Sequence, residues 1–348
     1  MRFDRDRYLE WYLPRISGPG AAAVNLHASG VPALDASSLA PAPVGNPWAM
    51  PGLFEAALAS WLGIPRGELI FTPGATGGNL LAMLALPRVG SEILVESPVY
   101  EPMLLHAARM HPVRRLERRW EDRWALGEDA ADQVRPGTGL VLITEPHNPS
   151  GRFTPRARLE ALAAATEAAG AWLLVNEVYR GYTDHPSLHG LGPRVVVVAS
   201  LSKLLGPYVA RLGWLSAAPE VVERLRWAHV NMGMASSPSA AVGLQVMARA
   251  EVLRDAARRT AADGLPRVDR WVRETPGLSW YPSEGPGFGC VRLPEGLDDV
   301  AFAERLLSRG VLVVPGSLFG APGTLRLSWI QAGEALDLGL RTLADALR

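Results

Sequence analysis

Cysteine is nearly absent from this sequence, since Cys290 is the only one in 348 residues. A single cysteine excludes an internal disulfide and a cysteine metal cluster, and it fits a reducing compartment. Histidine is also sparse. The closest helical candidates, His106 and His111, are five residues apart, whereas a spacing of four would place two ligands on one helix face. We therefore expect no metal site.

Neither an excess of one charge nor a long apolar run occurs. Thirty-five basic residues balance thirty-five acidic ones, so no overall field favours nucleic acid or an anionic membrane surface. No stretch approaches the ~20 apolar residues of a membrane span. The first residues, MRFDRDRYLEWYLPR, are charged throughout and lack the apolar core of a signal peptide. We expect a cytoplasmic protein whose partners are small molecules or another protein, and neither nucleic acid nor membrane.

Short apolar runs alternate with helical stretches through the middle of the chain. ELIFTPG, EILVES, GLVLIT, AWLLVNEV and RVVVVAS are typical of strands, and TGGNLLAMLAL and PRARLEALAAATEAAG are typical of helices between some of them. This alternation predicts an α/β fold with a large, doubly wound, mostly parallel sheet.

The two ends of the chain have different patterns. The final stretch mixes extended pieces with helices at 298–309 and 333–347, which predicts a smaller α+β domain. The first forty-odd residues are rich in Pro, Ala, Gly and Ser and have little periodicity. We therefore predict an N-terminal segment, 1–44, that packs with the small domain or a partner subunit, followed by a large domain, 45–240, and a small domain, 241–348.

Glycine opens a helix directly after the first predicted strand, in FTPGATGG. Backbone N–H groups of Gly74, Ala75 and Thr76, with a helix dipole behind them, would attract a phosphate. A tight strand-to-helix turn needs glycine for plain geometry as well. Arg211 would add a bidentate phosphate partner, and its ordinary alternative is a surface ion pair.

Other polar residues follow strand ends, where open α/β sheets bind their ligands. Asn148 in TEPHNPSGR presents an amide from a turn, or simply forms an Asx turn. Tyr100 in SPVYEP offers a flat ring to a flat ligand, or packs in the core. Strand ends are also the predicted location of Asn176 and Tyr179 in LLVNEVYRGY and of Ser200, Ser202 and Lys203 in VVVVASLSK. An isolated lysine there would ordinarily be a solvated surface residue.

Taken in order, these motifs resemble the fold type I, pyridoxal-phosphate-dependent aminotransferases of class I/II. The order Gly-Ala-Thr, Tyr, Asn-Pro-Ser-Gly, Glu-Val-Tyr, Ser-x-Ser-Lys, Arg and a late Leu-Arg-Leu-Ser matches that family over nearly the whole chain. YLEWYLPR, VNLHASGV and GVLVVPGSLFG resemble a subgroup from actinobacterial amino-acid and natural-product metabolism. That subgroup includes capreomycidine synthases, which eliminate and cyclise instead of transaminating.

The resemblance implies pyridoxal 5'-phosphate as cofactor, bound by the large domain, with an amino acid and a keto acid as substrates and a homodimer as the assembly. It implies that Lys203 forms the Schiff base with the cofactor aldehyde and shuttles the proton. A desolvated lysine close to other cations has a lowered pKa, which makes it both a nucleophile and a base. Arg326, in LRLSW, is implied to hold the substrate carboxylate, and Gly30 to approach the substrate through its backbone.

The remaining site residues follow from the same resemblance. Tyr100 is implied to stack on the pyridine, and Asn148 and Tyr179 to donate hydrogen bonds to its phenolic oxygen. Asn148 is also placed with the substrate-binding residues, and Tyr179 and Asn176 with the catalytic ones. The phosphate cup comprises Gly74, Ala75, Thr76, Ser200 or Ser202, and Arg211.

Three positions depart from the family pattern. Asn176 stands where an aspartate ordinarily pairs with the protonated pyridine nitrogen, and a neutral amide cannot stabilise that charge. Glu177 faces the other side of the strand and cannot substitute. Pro47 and Trp48 replace a cross-subunit tyrosine, and Val209 replaces a glycine.

The departures leave three functions open. The first is amino-group transfer, the default for the family. The second keeps the cofactor but runs elimination, substitution, cyclisation, decarboxylation or racemisation, with Asn176 weakening the electron sink. The third is a binding or regulatory protein that retains the fold without catalysis.

Overall fold

A seven-stranded sheet is the centre of the computed structural model, which describes residues 6–17, 22–35, 46–233, 236–330 and 333–348. In the described residues the strands are β1 (Val24–Asn25), β2 (Leu69–Pro73), β3 (Glu92–Ser97), β4 (Val113–Glu117), β5 (Thr138–Thr144), β6 (Trp172–Asn176), β7 (Val195–Ser200), β8 (Leu212–Ser216), β9 (Ser279–Trp280), β10 (Phe288–Arg292), β11 (Val311–Leu312), β12 (Val314–Pro315) and β13 (Thr324–Ser328).

The helices of the described ranges are α1 (Arg7–Ser17), α2 (Met50–Leu62), α3 (Gly74–Ala85), α4 (Glu101–Met110), α5 (Arg156–Ala168), α6 (Ser202–Leu205), α7 (Pro219–Asn231), α8 (Ser237–Met247), α9 (Ala250–Glu274), α10 (Asp299–Ser308) and α11 (Gly333–Leu347). Among them, none combines the length and the apolar character needed to cross a bilayer.

The large sheet has the strand order β2-β8-β7-β6-β5-β3-β4. Neighbours from β7 to β4 pair in parallel, and β8 is antiparallel to both β2 and β7. The prediction of a mostly parallel α/β sheet is confirmed. Parallel strands end at one edge, so the residues that follow β5, β6 and β7 meet there.

The four valines of β7 show why this strand is apolar throughout. Val196 and Val198 pack in the cluster that includes Leu81 of α3, whereas Val195 and Val197 pack in the cluster that includes Leu159 of α5. Helices therefore cover both faces, as a buried parallel strand requires. The first polar side chains after this run lie at its carboxyl end.

The C-terminal part of the chain forms a second sheet, ordered β12-β13-β10-β9 and antiparallel. Described parts of the N-terminal segment contact it: β1 pairs with β11, and Trp11 and Arg15 of α1 both bind Glu304 of α10, at 2.7 and 2.5 Å. These contacts favour packing of the segment on the small domain. The division at 44 and 240 stays a prediction, and residues 1–5, 18–21 and 36–44 lie outside the described ranges.

Candidate active site

A cavity of about 200 Å³ lies at the carboxyl ends of β5, β6 and β7, which contribute Thr144, Asn176 and Ser200 to its wall. It brings together eleven of the thirteen predicted site residues: Ala75, Thr76, Tyr100, Asn148, Asn176, Tyr179, Ser200, Ser202, Lys203, Arg211 and Arg326. A larger cleft of about 540 Å³, around Arg152 and Glu177, contains none of the thirteen. The smaller cavity is the candidate active site because the predicted site residues, including Lys203, lie together in its wall.

The two remaining predicted residues, Gly74 and Gly30, lie behind the wall. Gly74 has φ +72°, and a Cβ there would be 2.7 Å from Arg211 Nη2, so only glycine lets the guanidinium lie against the start of α3. A Cβ on Gly30 would be 2.6 Å from the Lys203 carbonyl oxygen. Gly30 therefore packs against the lysine backbone, and its neighbour Ser29 lines the cavity instead.

The backbone of Lys203 is fixed by hydrogen bonds, and its amine lies beside an aromatic ring. Its carbonyl accepts hydrogen bonds from the Tyr182 hydroxyl (2.6 Å) and the Val31 N–H (3.0 Å). The amine lies 5.3 Å from the centre of the Tyr208 ring. Burial, followed by the positive charges of Arg326 and Arg211, lowers the pKa of Lys203 from 10.5 to about 8. The side chain is thus prepared to react as a neutral amine.

We expect the rate at which Lys203 captures pyridoxal phosphate to rise with pH through a midpoint near 8. The neutral amine is the nucleophile, and a lysine with the ordinary pKa of 10.5 would reach the same fraction only at much higher pH. The initial rate of visible-band formation by cofactor-free protein, measured at a series of pH values, gives the midpoint. A rate still rising steeply beyond pH 9 would contradict a lowered pKa.

The end of the cavity formed by α3 and α6 fits a phosphate. Ala75 and Thr76 lie in the first turn of α3, where backbone N–H groups point along the helix dipole. The Ser202 hydroxyl is buried and has no hydrogen-bond partner among the described residues. Arg211 lines the same space from a left-handed backbone position with φ 51°. The Ser202 hydroxyl lacks a partner in the described residues, and a phosphate dianion would supply one.

Arg326, from β13, also lines the cavity and fits a carboxylate. Its side chain is buried, with 1% of its surface exposed. Nη1 donates to Asn148 Oδ1 (3.2 Å), and Nη2 donates to the His27 carbonyl (2.7 Å) and the Tyr8 hydroxyl (3.4 Å). Nε is buried without a partner in the described part of the chain. Because every acceptor is neutral, the guanidinium charge is uncompensated until an anion binds.

Asn176 ends β6 with its amide at the cavity wall. Its Oδ1 accepts the Val178 N–H at 3.1 Å, and Nδ2 lies 3.9 Å from Met103 Sδ. The Glu177 carboxylate points away, because it accepts from Ser187 Oγ and Leu188 N at 2.7 and 2.6 Å. No described Asp or Glu lines the cavity. A carboxylate that would replace the usual aspartate is therefore missing from this wall.

Several residues of the cavity wall were not predicted from the sequence. Tyr8 and Tyr12 come from α1, Tyr208 follows α6, and Met103 and His106 come from α4. One signal was present: Tyr8 and Tyr12 are four residues apart, which places both rings on one helix face. The rings stack with centroids 5.2 Å apart.

A buried ionic cluster supports the turn that carries Asn148. Arg118 pairs with Glu96 at 2.8 Å and with Glu145 at 2.7 Å, and all three side chains are buried. Glu145 also accepts from Thr154 N and Oγ1, at 3.1 and 2.6 Å. Glu145 and Thr154 lie on either side of Asn148 in the sequence. The hydrogen bonds between them hold the two ends of the turn together and so fix the position of the Asn148 amide in the cavity.

Arg118→Met is expected to destabilise the fold by about 3–5 kcal/mol, because it leaves Glu96 and Glu145 buried without their cation. Denaturant unfolding measures the change. Arg156→Met is the matched control. It removes the exposed Arg156–Glu160 pair, for which we expect about 0.3–0.5 kcal/mol. Equal losses in the two variants would show that the buried cluster contributes no more than a surface pair.

Comparison with known proteins finds a family match and related sequences. Residues 46–336 match the family model described as aminotransferase class I and II. The chain is 30% identical over 298 residues to arginine–pyruvate transaminase from Pseudomonas aeruginosa, covering 80% of this chain and 74% of that one. It is 28% identical over 303 residues to capreomycidine synthase from Streptomyces vinaceus, covering 84% and 79%.

Solved structures show the same fold. A pyridoxal-phosphate-dependent aminotransferase from Streptococcus suis superposes with a TM-score of 0.88 at 24% identity, covering 100% of this chain and 98% of that one. The pyridoxal-phosphate-dependent cyclase OrfR superposes with a TM-score of 0.84 at 23% identity, with the same coverage. At such identities the structures establish the fold alone, and that fold includes both a transaminase and a cyclase.

Proposed function

Because this chain belongs to the class I and II aminotransferases, we propose that it transfers the amino group of an amino acid to a keto acid, with Lys203 as the catalytic residue. As a member of that family it is a pyridoxal-phosphate-dependent enzyme, so the predicted family and cofactor are confirmed. The observation that carries the proposal is the placement of Lys203 in one cavity with two arginines that have no carboxylate partner in the described residues.

The cavity residues divide among three tasks. Ala75, Thr76, Ser202 and Arg211 would bind the cofactor phosphate, with Ser200 beside them. Tyr100, Asn148 and Tyr179 would hold the ring, and Asn176 would face its nitrogen. Arg326 would bind the substrate carboxylate as a bidentate fork, for which the free Nε supports the assignment.

The bound cofactor supplies an electron sink for a carbanion at the substrate α-carbon. Lys203 binds it covalently and, as an amine with a pKa of about 8, can take and return the α-proton near neutral pH. Arg326 fixes the carboxylate, which orients the α-carbon toward the lysine. The Tyr179 hydroxyl donates to Ser29 Oγ at 3.0 Å, which fixes the Tyr179 ring in the cavity wall.

A second candidate reaction has its own support. Asn176 and the absence of any described carboxylate in the wall disfavour a protonated pyridine nitrogen, because a neutral amide offers no compensating charge. A weaker electron sink slows full transamination and suits elimination, cyclisation, decarboxylation or racemisation. The proteins similar to this chain include a transaminase and a cyclase, and one experiment distinguishes the two reactions.

The decisive experiment is spectroscopic. Purified protein is loaded with pyridoxal phosphate, and single amino acids are added without a keto acid acceptor. Conversion of the visible band to that of the aminated cofactor supports amino-group transfer. Consumption of the amino acid with the band retained supports the second candidate. A protein that binds no cofactor would contradict both.

We also propose a cytoplasmic homodimer. The exposed large apolar side chains of the described residues include Trp48 at 93%, Val209 at 78% and Trp227 at 72%. Val209 lies two residues from Arg211, so a second copy packed on Val209 would also cover the phosphate end of the cavity. The single cysteine fits a reducing compartment. Light scattering is expected to give twice the chain mass, and Trp48→Ser to shift the protein toward the monomer.

A further inference from the structure

The charges that line the cavity are all positive. Lys203, Arg211 and Arg326 line it, and no Asp or Glu does within the described ranges. The proposed function uses each cation: Lys203 for the cofactor, Arg211 for its phosphate and Arg326 for the substrate carboxylate. Among the lining residues of the described ranges, no cation then remains for a carboxylate on the substrate side chain, and no anion remains for an ammonium or guanidinium.

The wall beside Arg326 is aromatic. The Tyr8 hydroxyl lies 3.4 Å from Arg326 Nη2, and the Tyr8 ring stacks on Tyr12 and meets the edge of Tyr100 at 5.0 Å. Tyr12 also contacts His27, with ring centroids 5.0 Å apart. A substrate held by Arg326 must therefore extend its side chain past the two tyrosines of α1.

Tyr12 and the nearby His106 and His27 are uncharged near neutral pH. Burial raises the pKa of Tyr12 far above its ordinary value of 10. Burial, followed by Arg109, lowers the pKa of His106 below 6.5. Burial, followed by Arg326 and Lys203, lowers the pKa of His27 to about 3. The wall thus provides rings and hydroxyls without a formal charge.

Two carboxylates near α1 do not alter this balance, because neither lines the cavity. Asp6 accepts the Leu9 N–H at 2.9 Å at the start of α1. Glu101 accepts the Tyr8 N–H at 2.6 Å. Asp6 thus caps the start of α1, and Glu101 attaches α1 to α4.

We propose that the cavity selects an amino acid with an uncharged aromatic or large aliphatic side chain, and that this side chain packs against Tyr12. The inference rests on the proposed function, which places the substrate carboxylate on Arg326. A charged side chain would be buried without a partner, whereas an aromatic side chain gains contact with the stacked rings. Tyr12 is a specificity-determining residue, separate from the groups that bind the cofactor.

The test measures binding to the cofactor-loaded protein with carboxylates that lack the reactive amine. Phenylpropanoate, glutarate and guanidinovalerate represent an aromatic, an acidic and a basic side chain. We expect phenylpropanoate to bind at least about tenfold more tightly than the other two. Tyr12→Ala should weaken phenylpropanoate about tenfold, leave the other two unchanged and leave the visible band intact.

Tyr281→Ala is the matched control, since Tyr281 is also partly buried but packs on Trp120 outside the cavity. It is expected to change none of the three affinities. Glutarate or guanidinovalerate binding as tightly as phenylpropanoate would overturn the inference, as would an unchanged phenylpropanoate affinity in Tyr12→Ala. Failure of cofactor binding looks different: the protein would then form no visible band at all, and both the proposed function and this inference would fall.

Discussion

Lys203→Ala is expected to abolish covalent capture of the cofactor and to lower turnover at least about 10³-fold, because it removes both the nucleophile and the proton carrier. Neither arginine of the cavity can replace it, since a guanidinium stays protonated at any working pH. The variant should remain folded, because the substitution deletes a charge that burial already disfavours. Absorbance of the loaded protein and single-turnover kinetics measure the two effects.

The lysine content of the sequence allows the site of covalent attachment to be assigned directly. Lys203 is the only lysine in the chain, so every other basic side chain among the 35 is arginine. Borohydride reduction of the loaded protein should attach the cofactor to one peptide, the one that contains Lys203. Attachment at the chain's terminal amine alone, or an unchanged band in Lys203→Ala, would refute the assignment.

The sheet and the strand-end residues were predictable because their signals are local. Val195–Val198 indicate a strand buried on both faces, and polar residues after such strands must meet at one edge of a parallel sheet. Lys203, Asn176 and Asn148 therefore converge for a topological reason. Their separation along the chain is irrelevant once the strand order is known.

The cavity wall near Tyr8 and Arg326 depends on contacts between residues far apart in the sequence, which no local sequence pattern predicts. Tyr8 and Arg326 are 318 residues apart, and only the packing of α1 on the C-terminal part of the chain brings them together. Arg118, Glu96 and Glu145 are a second case. Each charged residue taken alone predicts a surface position, whereas the structure buries the three together. Gly30 was predicted from resemblance to approach the substrate, and in the structure Ser29 faces the cavity while Gly30 packs on Lys203.

Asn176→Asp is expected to raise the rate of amino-group transfer about 10²-fold, if the neutral amide is what limits it. One close ionic partner in a buried site shifts a pKa by several units, which corresponds to a few kcal/mol. The introduced carboxylate would meet the ring nitrogen and favour its protonated form, and the Val178 N–H that now binds Oδ1 can bind the new oxygen equally well. Conversion of the visible band by a single amino acid gives the rate directly.

Asn148→Asp is the matched control, because it introduces the same charge into the same cavity at a different place. Asn148 Oδ1 accepts from Arg326, so a carboxylate there would compensate the guanidinium and weaken amino-acid binding without speeding the reaction. A gain confined to Asn176→Asp would show that the native asparagine restrains transamination, which supports elimination, cyclisation or a related reaction as the natural one. A native rate that is already high and does not rise would show that amino-group transfer proceeds here without a carboxylate at the ring nitrogen.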